Sequence, residues 1–344
     1  MSSAVLTLAV IWAGFIAYVA LGGADFGAGA WDLLASGPTA RRQHRFISRV
    51  LGPVWEANHV WLIFLLVGLM NLFPDAYATL MSSLFLPLML ALLGIVLRGA
   101  GFVFRTHSLS TEGRSARLWS RIFSISSVLT PCFLGISAAA VASGRVGPDQ
   151  SQADLLSGWI TPFSLAVGVM ATLQCATLAA VYLTAEAHRQ GERDFVLSYR
   201  LKALISSVLV SALGLLCLAL SVNEAPWLWH GLLAHALAYL VATCALGLLV
   251  LVTLFLKHYR LASLFVVLET ALLLTCWGVS QYPYLLPPRL TIEQAASTPA
   301  MATTMLVVML AGLAVVLPAL FYLFRVFRWA PGGPARATAR ERER

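Results

Sequence analysis

Apolar residues in this chain come in long runs separated by short polar breaks. A helix needs about 20 apolar residues to cross a bilayer core of roughly 30 Å. Nine runs qualify, at about 4–34, 53–73, 77–104, 119–142, 159–185, 203–222, 229–256, 261–280 and 301–327. They predict an all-α, polytopic membrane protein with nine transmembrane helices over residues 1–329. A basic tail, 330–344, rich in Arg, Pro and Gly, follows and is expected to be disordered and to meet anionic lipid headgroups. No basic residue precedes the first run and no small-residue cleavage site follows it, so it reads as a retained helix.

Composition narrows the class further. The 344 residues are 59% hydrophobic and 11% charged, against about 25% charged in soluble domains. Such a chain cannot cover itself with a water-facing surface, which excludes disorder, coiled coil and an ordinary cytosolic enzyme. The net charge of +8 becomes informative once the basic residues are sorted by loop, and it is no nucleic-acid footprint. Arg41, Arg42, Arg45 and Arg49 follow the first run; Arg105, Arg114, Arg117 and Arg121 the third; Arg189, Arg193, Arg200 and Lys202 the fifth; Lys257 and Arg260 the seventh. Arg325, Arg328, Arg336, Arg340, Arg342 and Arg344 follow the ninth, whereas the other side has Arg145 and Arg289. Basic loops stay cytoplasmic. This predicts an N-terminus on the outer side and a cytoplasmic C-terminus.

Charged residues inside the runs carry the functional signal. Each costs at least about 2.5–3.5 kcal/mol at the bilayer centre. They are Asp25, Asp32, Glu56, Arg98 and Glu269. Gly22, Asp25, Gly29 and Asp32 are spaced three, four and three apart, so they share one helical face, where glycines let another helix approach. Helix packing and a functional polar seam are both open for that face. Pro53 suits the first turn of the second helix, where the dipole also favours Glu56. Asp32 lies near the cytoplasmic end of its helix and Asp25 seven residues deeper, or about 10 Å. Glu56, Asn58 and His59 enter from the same side. Together these five make a candidate proton path. Arg98 and Glu269 are ion-pair candidates, with each other or with Asp25 or Glu56. An unpartnered buried acid would instead be neutral, as desolvation disfavours its charge.

Cys132, Cys175, Cys217, Cys244 and Cys276 all fall in apolar runs without a CxxC pair, so no disulfide framework or metal site is indicated. His44, His107, His188 and His258 lie in or beside cytoplasmic loops and His230 begins the seventh run. His59 and His235 lie inside helices, with nothing pairing them, so no haem ligand is assigned.

The segments LGGADFGAG (Leu21 to Gly29) and GPVWEANHVWL (Gly52 to Leu62) resemble subunit II of the cytochrome bd-type quinol oxidases, a family that includes cyanide-insensitive members. Leu97 to Phe102, Gln281 to Tyr284 and Leu285 to Pro288 are similar to the same family. The resemblance implies a terminal oxidase of the respiratory chain that oxidises quinol, reduces oxygen to water and draws protons from the cytoplasm. It also implies that b- and d-type haems and the main quinol site belong to a partner subunit I. This chain would then be haem-free and not catalytic alone, contributing assembly, proton access and in some members a structural quinone. A small single-helix accessory subunit is a further implied partner. The family's helix-one acid matches Asp25, and the acid between Trp and Asn matches Glu56. Many relatives carry Asp at the position of Gly22, and relatives can carry Asp in place of Glu56 and Gln in place of His59, so no role passes to His59. Two other classes compete: a secondary transporter whose carboxylates bind substrate or a coupling ion, and a purely structural partner subunit.

Overall fold

The structure, a computed structural model, describes residues 2–37, 39–51, 55–107, 114–146 and 158–325. Its long helices are α1 (Ser3–Leu33), α3 (Trp55–Leu72), α5 (Phe85–His107), α6 (Arg114–Ala142), α7 (Pro162–Gln190) and α8 (Arg193–Glu224). To these are added α10 (Leu237–Phe255), α11 (Tyr259–Gln281) and α13 (Pro299–Phe324). Among the described residues, eight helical stretches are long and apolar enough to cross a membrane. A ninth arises if α3 and α4 (Pro74–Ser83), bent by 117°, are counted as one span. The expected all-α, polytopic class is borne out, with eight or nine candidate spans among the described residues.

Local chemistry sets the helix ends. Thr161 caps α7 by accepting from the Ser164 amide while Ser164 returns a bond to Thr161, and Pro162 occupies the first turn. Gly191 ends α7 with a left-handed φ of 75°. Pro74 likewise opens α4. The run 77–104 is consequently two helices, because the chain turns at Leu84 between α4 and α5.

Residues 41–49, expected as a loop, belong to α2 (Ala40–Leu51). Twelve residues rise only about 18 Å, too little to cross. Phe46, Ile47 and Val50 are buried on one face, and Arg41, Arg42, Arg45 and Arg49 are exposed on the other. Arg42 bridges to Glu192 and, at 3.3 Å, to Asp194 in the first turns after α7. Arg189, Arg193, Arg200 and Lys202 also lie on helices, since α7 and α8 run past their apolar stretches. Arg200 uses that position to donate to the terminal carbonyls of Leu254 and Phe255 on α10.

A short helix α9 (Pro226–Gly231) and a π-helical turn (Leu232–Ala236) lead into α10. Between α11 and α13 the chain forms a two-stranded hairpin, β1 (Tyr284–Leu286) with β2 (Leu290–Thr291), and the single turn α12 (Ile292–Ala295). This segment closes a core of Ile11, Leu72, Phe73, Leu286, Ile292 and Met305 at the end opposite α2. The core at the α2 end gathers Trp31, Phe46, Phe195, Tyr199, Leu254 and Tyr259. Helix α1 runs through the middle, against α3, α6, α7, α11 and α13. Large apolar side chains on α8, α10 and α13, such as Leu215, Val241 and Val315, point outward, as expected of surfaces meeting lipid or another subunit.

Candidate functional site: a buried polar path beside the first helix

Helix α1 is held between two walls. Toward α7, a Cβ at Gly27 would lie 1.8 Å from the Cys175 carbonyl oxygen, so only glycine permits that approach. One turn on, the Trp31 indole donates to the Ala176 carbonyl at 2.7 Å. Toward α6, a Cβ at Gly29 would lie 2.2 Å from the Ser127 hydroxyl. Both acids of α1 are therefore enclosed by protein.

Asp32 sits at the α2 end with its carboxylate fully buried. Arg105 of α5 donates to one oxygen at 2.9 Å and Ser124 of α6 donates to the same oxygen at 3.0 Å. His44 of α2 places Nδ1 2.5 Å from the other oxygen. Arg105 also donates to Ser48 of α2 at 3.0 Å and lies 4.0 Å from the centre of the Phe123 ring. A buried carboxylate is tolerable only with donors on its lone pairs, and here three elements supply them.

Asp25 is buried one level deeper, and Asn58 of α3 donates to it. Arg98 of α5, also buried, stands 4.8 Å from the Phe26 ring centre and 5.3 Å from that of Phe123. Among the described residues its Nε has no hydrogen-bond partner. Asp25, Arg98, Arg105, Ser48 and Phe123 line one cavity of about 10 Å³, the room of roughly one water molecule. The cavity thus lies between Asp25 and the Arg105 guanidinium that bonds Asp32.

The remaining candidates fall around this pair of levels. Glu56 lies on α3, with its side chain outside the described residues. His59 is half-buried on the same helix. Glu269 does not pair with Arg98; it lies half-buried on α11 against Gly247 of α10, where an added Cβ would come within 2.9 Å of its Oε1. Sequence reasoning missed His44, Ser48, Arg105 and Ser124. One signal was present: Arg98 and Arg105 repeat on α5 the seven-residue spacing of Asp25 and Asp32 on α1. Two helices running the same way can then match acid to base at two depths.

A haem does not fit here. The cavity is far too small for a porphyrin.

The family described as cytochrome bd terminal oxidase subunit II matches residues 3–327. A candidate cytochrome bd menaquinol oxidase subunit II of Bacillus subtilis (strain 168) is 23% identical over 338 residues, covering 95% of this chain and 96% of that one. The cytochrome bd-I ubiquinol oxidase subunit 2 of Escherichia coli (strain K12) is 26% identical over 146 residues, covering 41% of this chain and 38% of the relative. A chain of the solved bd oxidase from Geobacillus thermodenitrificans superimposes with a TM-score of 0.75 at 25% identity, over 96% of this chain and 99% of that chain. With the family model covering residues 3–327 and the fold shared over 96% of the chain, the chain belongs to the cytochrome bd terminal oxidase subunit II family.

Proposed function

We propose that this chain is the haem-free subunit II of a membrane quinol:oxygen oxidoreductase and that it carries protons inward from its basic end. Quinol oxidation and oxygen reduction to water then take place on a haem-bearing subunit I with b- and d-type haems. The basic end faces the cytoplasm, the N-terminus faces the periplasm, and the complex sits in the bacterial inner membrane. The 330–344 tail is a cytoplasmic, lipid-facing extension of the 1–329 membrane domain. A structural quinone and a small single-helix subunit complete the expected partners.

The observation that carries this reading is the two-level polar path. Asp25, to which Asn58 donates, lines a water-sized cavity together with Ser48 and Arg105, and Arg105 bonds onward to Asp32. Glu56 adds a second acid at the start of α3. Asp25 and Glu56 hold and hand on protons, Asn58 orients Asp25 by donating to it, and Asp32 anchors the mouth of the path. The transporter alternative has no such support, because this family is one of terminal oxidases.

Asp25→Asn and Glu56→Gln in the purified complex are the test. Quinol-driven oxygen consumption is expected to fall by about a hundredfold, the lower range for a lost proton-transfer group, with the haem subunit retained. Undiminished turnover in an assembled complex sinks the proton role. Loss of haem before any change in turnover would instead assign these acids to structure.

A further inference from the structure

Resting on the proton-path reading, we propose that His44, oriented by Asp32, is the proton-collecting group at the mouth of that path. His44 is 36% exposed at its side chain, whereas the Asp32 carboxylate it meets is fully buried. The imidazole therefore spans the boundary between solvent and the buried network. Asp32 fixes the ring through Nδ1, leaving Nε2 to exchange protons with water. In that exchange Nε2 gains a proton from a hydronium or buffer acid and gives it up to the next water inward. The Nδ1 bond is unchanged throughout.

The surroundings make such a group necessary. Arg41 and Arg45 flank His44 on the solvent side of α2, and Arg42 lies on the same helix, bridged to Glu192 and Asp194. Arg105 stands behind it on Asp32, and Lys202 of α8 reaches the neighbouring Gln43 at 3.1 Å. A rim this cationic repels hydronium and depletes it locally. Arginine cannot relay a proton at ordinary pH, whereas imidazole changes charge in the physiological range. The onward direction is also built: Ser48 lies one helical turn from His44 on α2 and lines the cavity shared with Asp25.

His44→Gln and His44→Asn in the whole purified complex test this, with Asp25→Asn in parallel. Haem content, quinol-driven oxygen consumption from acidic to alkaline pH, and the response to added imidazole are measured. Both variants are expected to retain haem and to match the parent at acidic pH. Turnover should drop several-fold at alkaline pH, where protons are scarce, and imidazole should restore part of it. A profile unchanged in both variants overturns the proposal. So does a loss uniform across pH and indifferent to imidazole, or failure of both to hold the haem subunit. If Asp25→Asn is slow while the His44 variants behave as the parent, this inference alone fails; if Asp25→Asn is also unimpaired, the path itself fails.

Discussion

Gly27→Ala is expected to loosen the whole complex, at a cost of about 3 kcal/mol or more, the upper range for overpacking a close-packed interior. The added methyl would sit 1.8 Å from the Cys175 carbonyl oxygen, with the Ala176 amide nitrogen at 2.7 Å. Both are backbone atoms of α7, so no side chain can rotate away, and α1 has to separate from α7. That separation also strains the Trp31 bond to Ala176, one turn along the same face. The measurement is the temperature at which the purified complex loses its haem absorbance and oxygen consumption. Gly22→Ala is the control, because its methyl would meet only the Tyr18 side chain, at 3.4 Å and beyond. That variant is expected within about 0.5 kcal/mol of the parent. Equal thermal stability of the two variants would show that the helices do not pack at Gly27 as described.

Arg105→Leu is the second large effect. It removes the one cationic donor whose ion pair to buried Asp32 comes from α5, and with it a bond to Ser48. Breaking a buried pair from one side costs about 3–5 kcal/mol, because a desolvated charge is left behind. The double variant Asp32→Leu with Arg105→Leu is expected to recover a good part of that loss, since it removes both charges. Thermal denaturation of parent, single and double variants forms the cycle. A double variant no more stable than Arg105→Leu alone would show that the ion pair is not what Arg105 supplies.

The membrane helices were legible because lipid leaves the backbone no alternative: every buried polar group must be satisfied within the helix. Asp25 and Asp32 were legible for the related reason that acids inside apolar runs demand an explanation. Residues 40–51 were not, because their arginines dominate the composition while only Phe46, Ile47 and Val50 mark the buried stripe. His44 and Ser48 were lost with that helix. Arg105 was counted among loop charges because the apolar run ends just before it, although α5 continues through it. The Glu269 position illustrates the opposite limit. Its depth along α11 was readable, but depth says nothing of azimuth, and α11 turns that residue toward Gly247 of α10 while Arg98 faces α1 and α6.

The bend after α3 has a consequence for the bilayer itself. With 18 residues, α3 rises about 27 Å, whereas α7 and α8 have 29 and 32. Such hydrophobic mismatch is accommodated by thinning the adjacent leaflets or drawing headgroups inward. Because α3 is also the helix that supplies Asn58, any bilayer thinning along it would shorten the distance from the headgroups to Asp25.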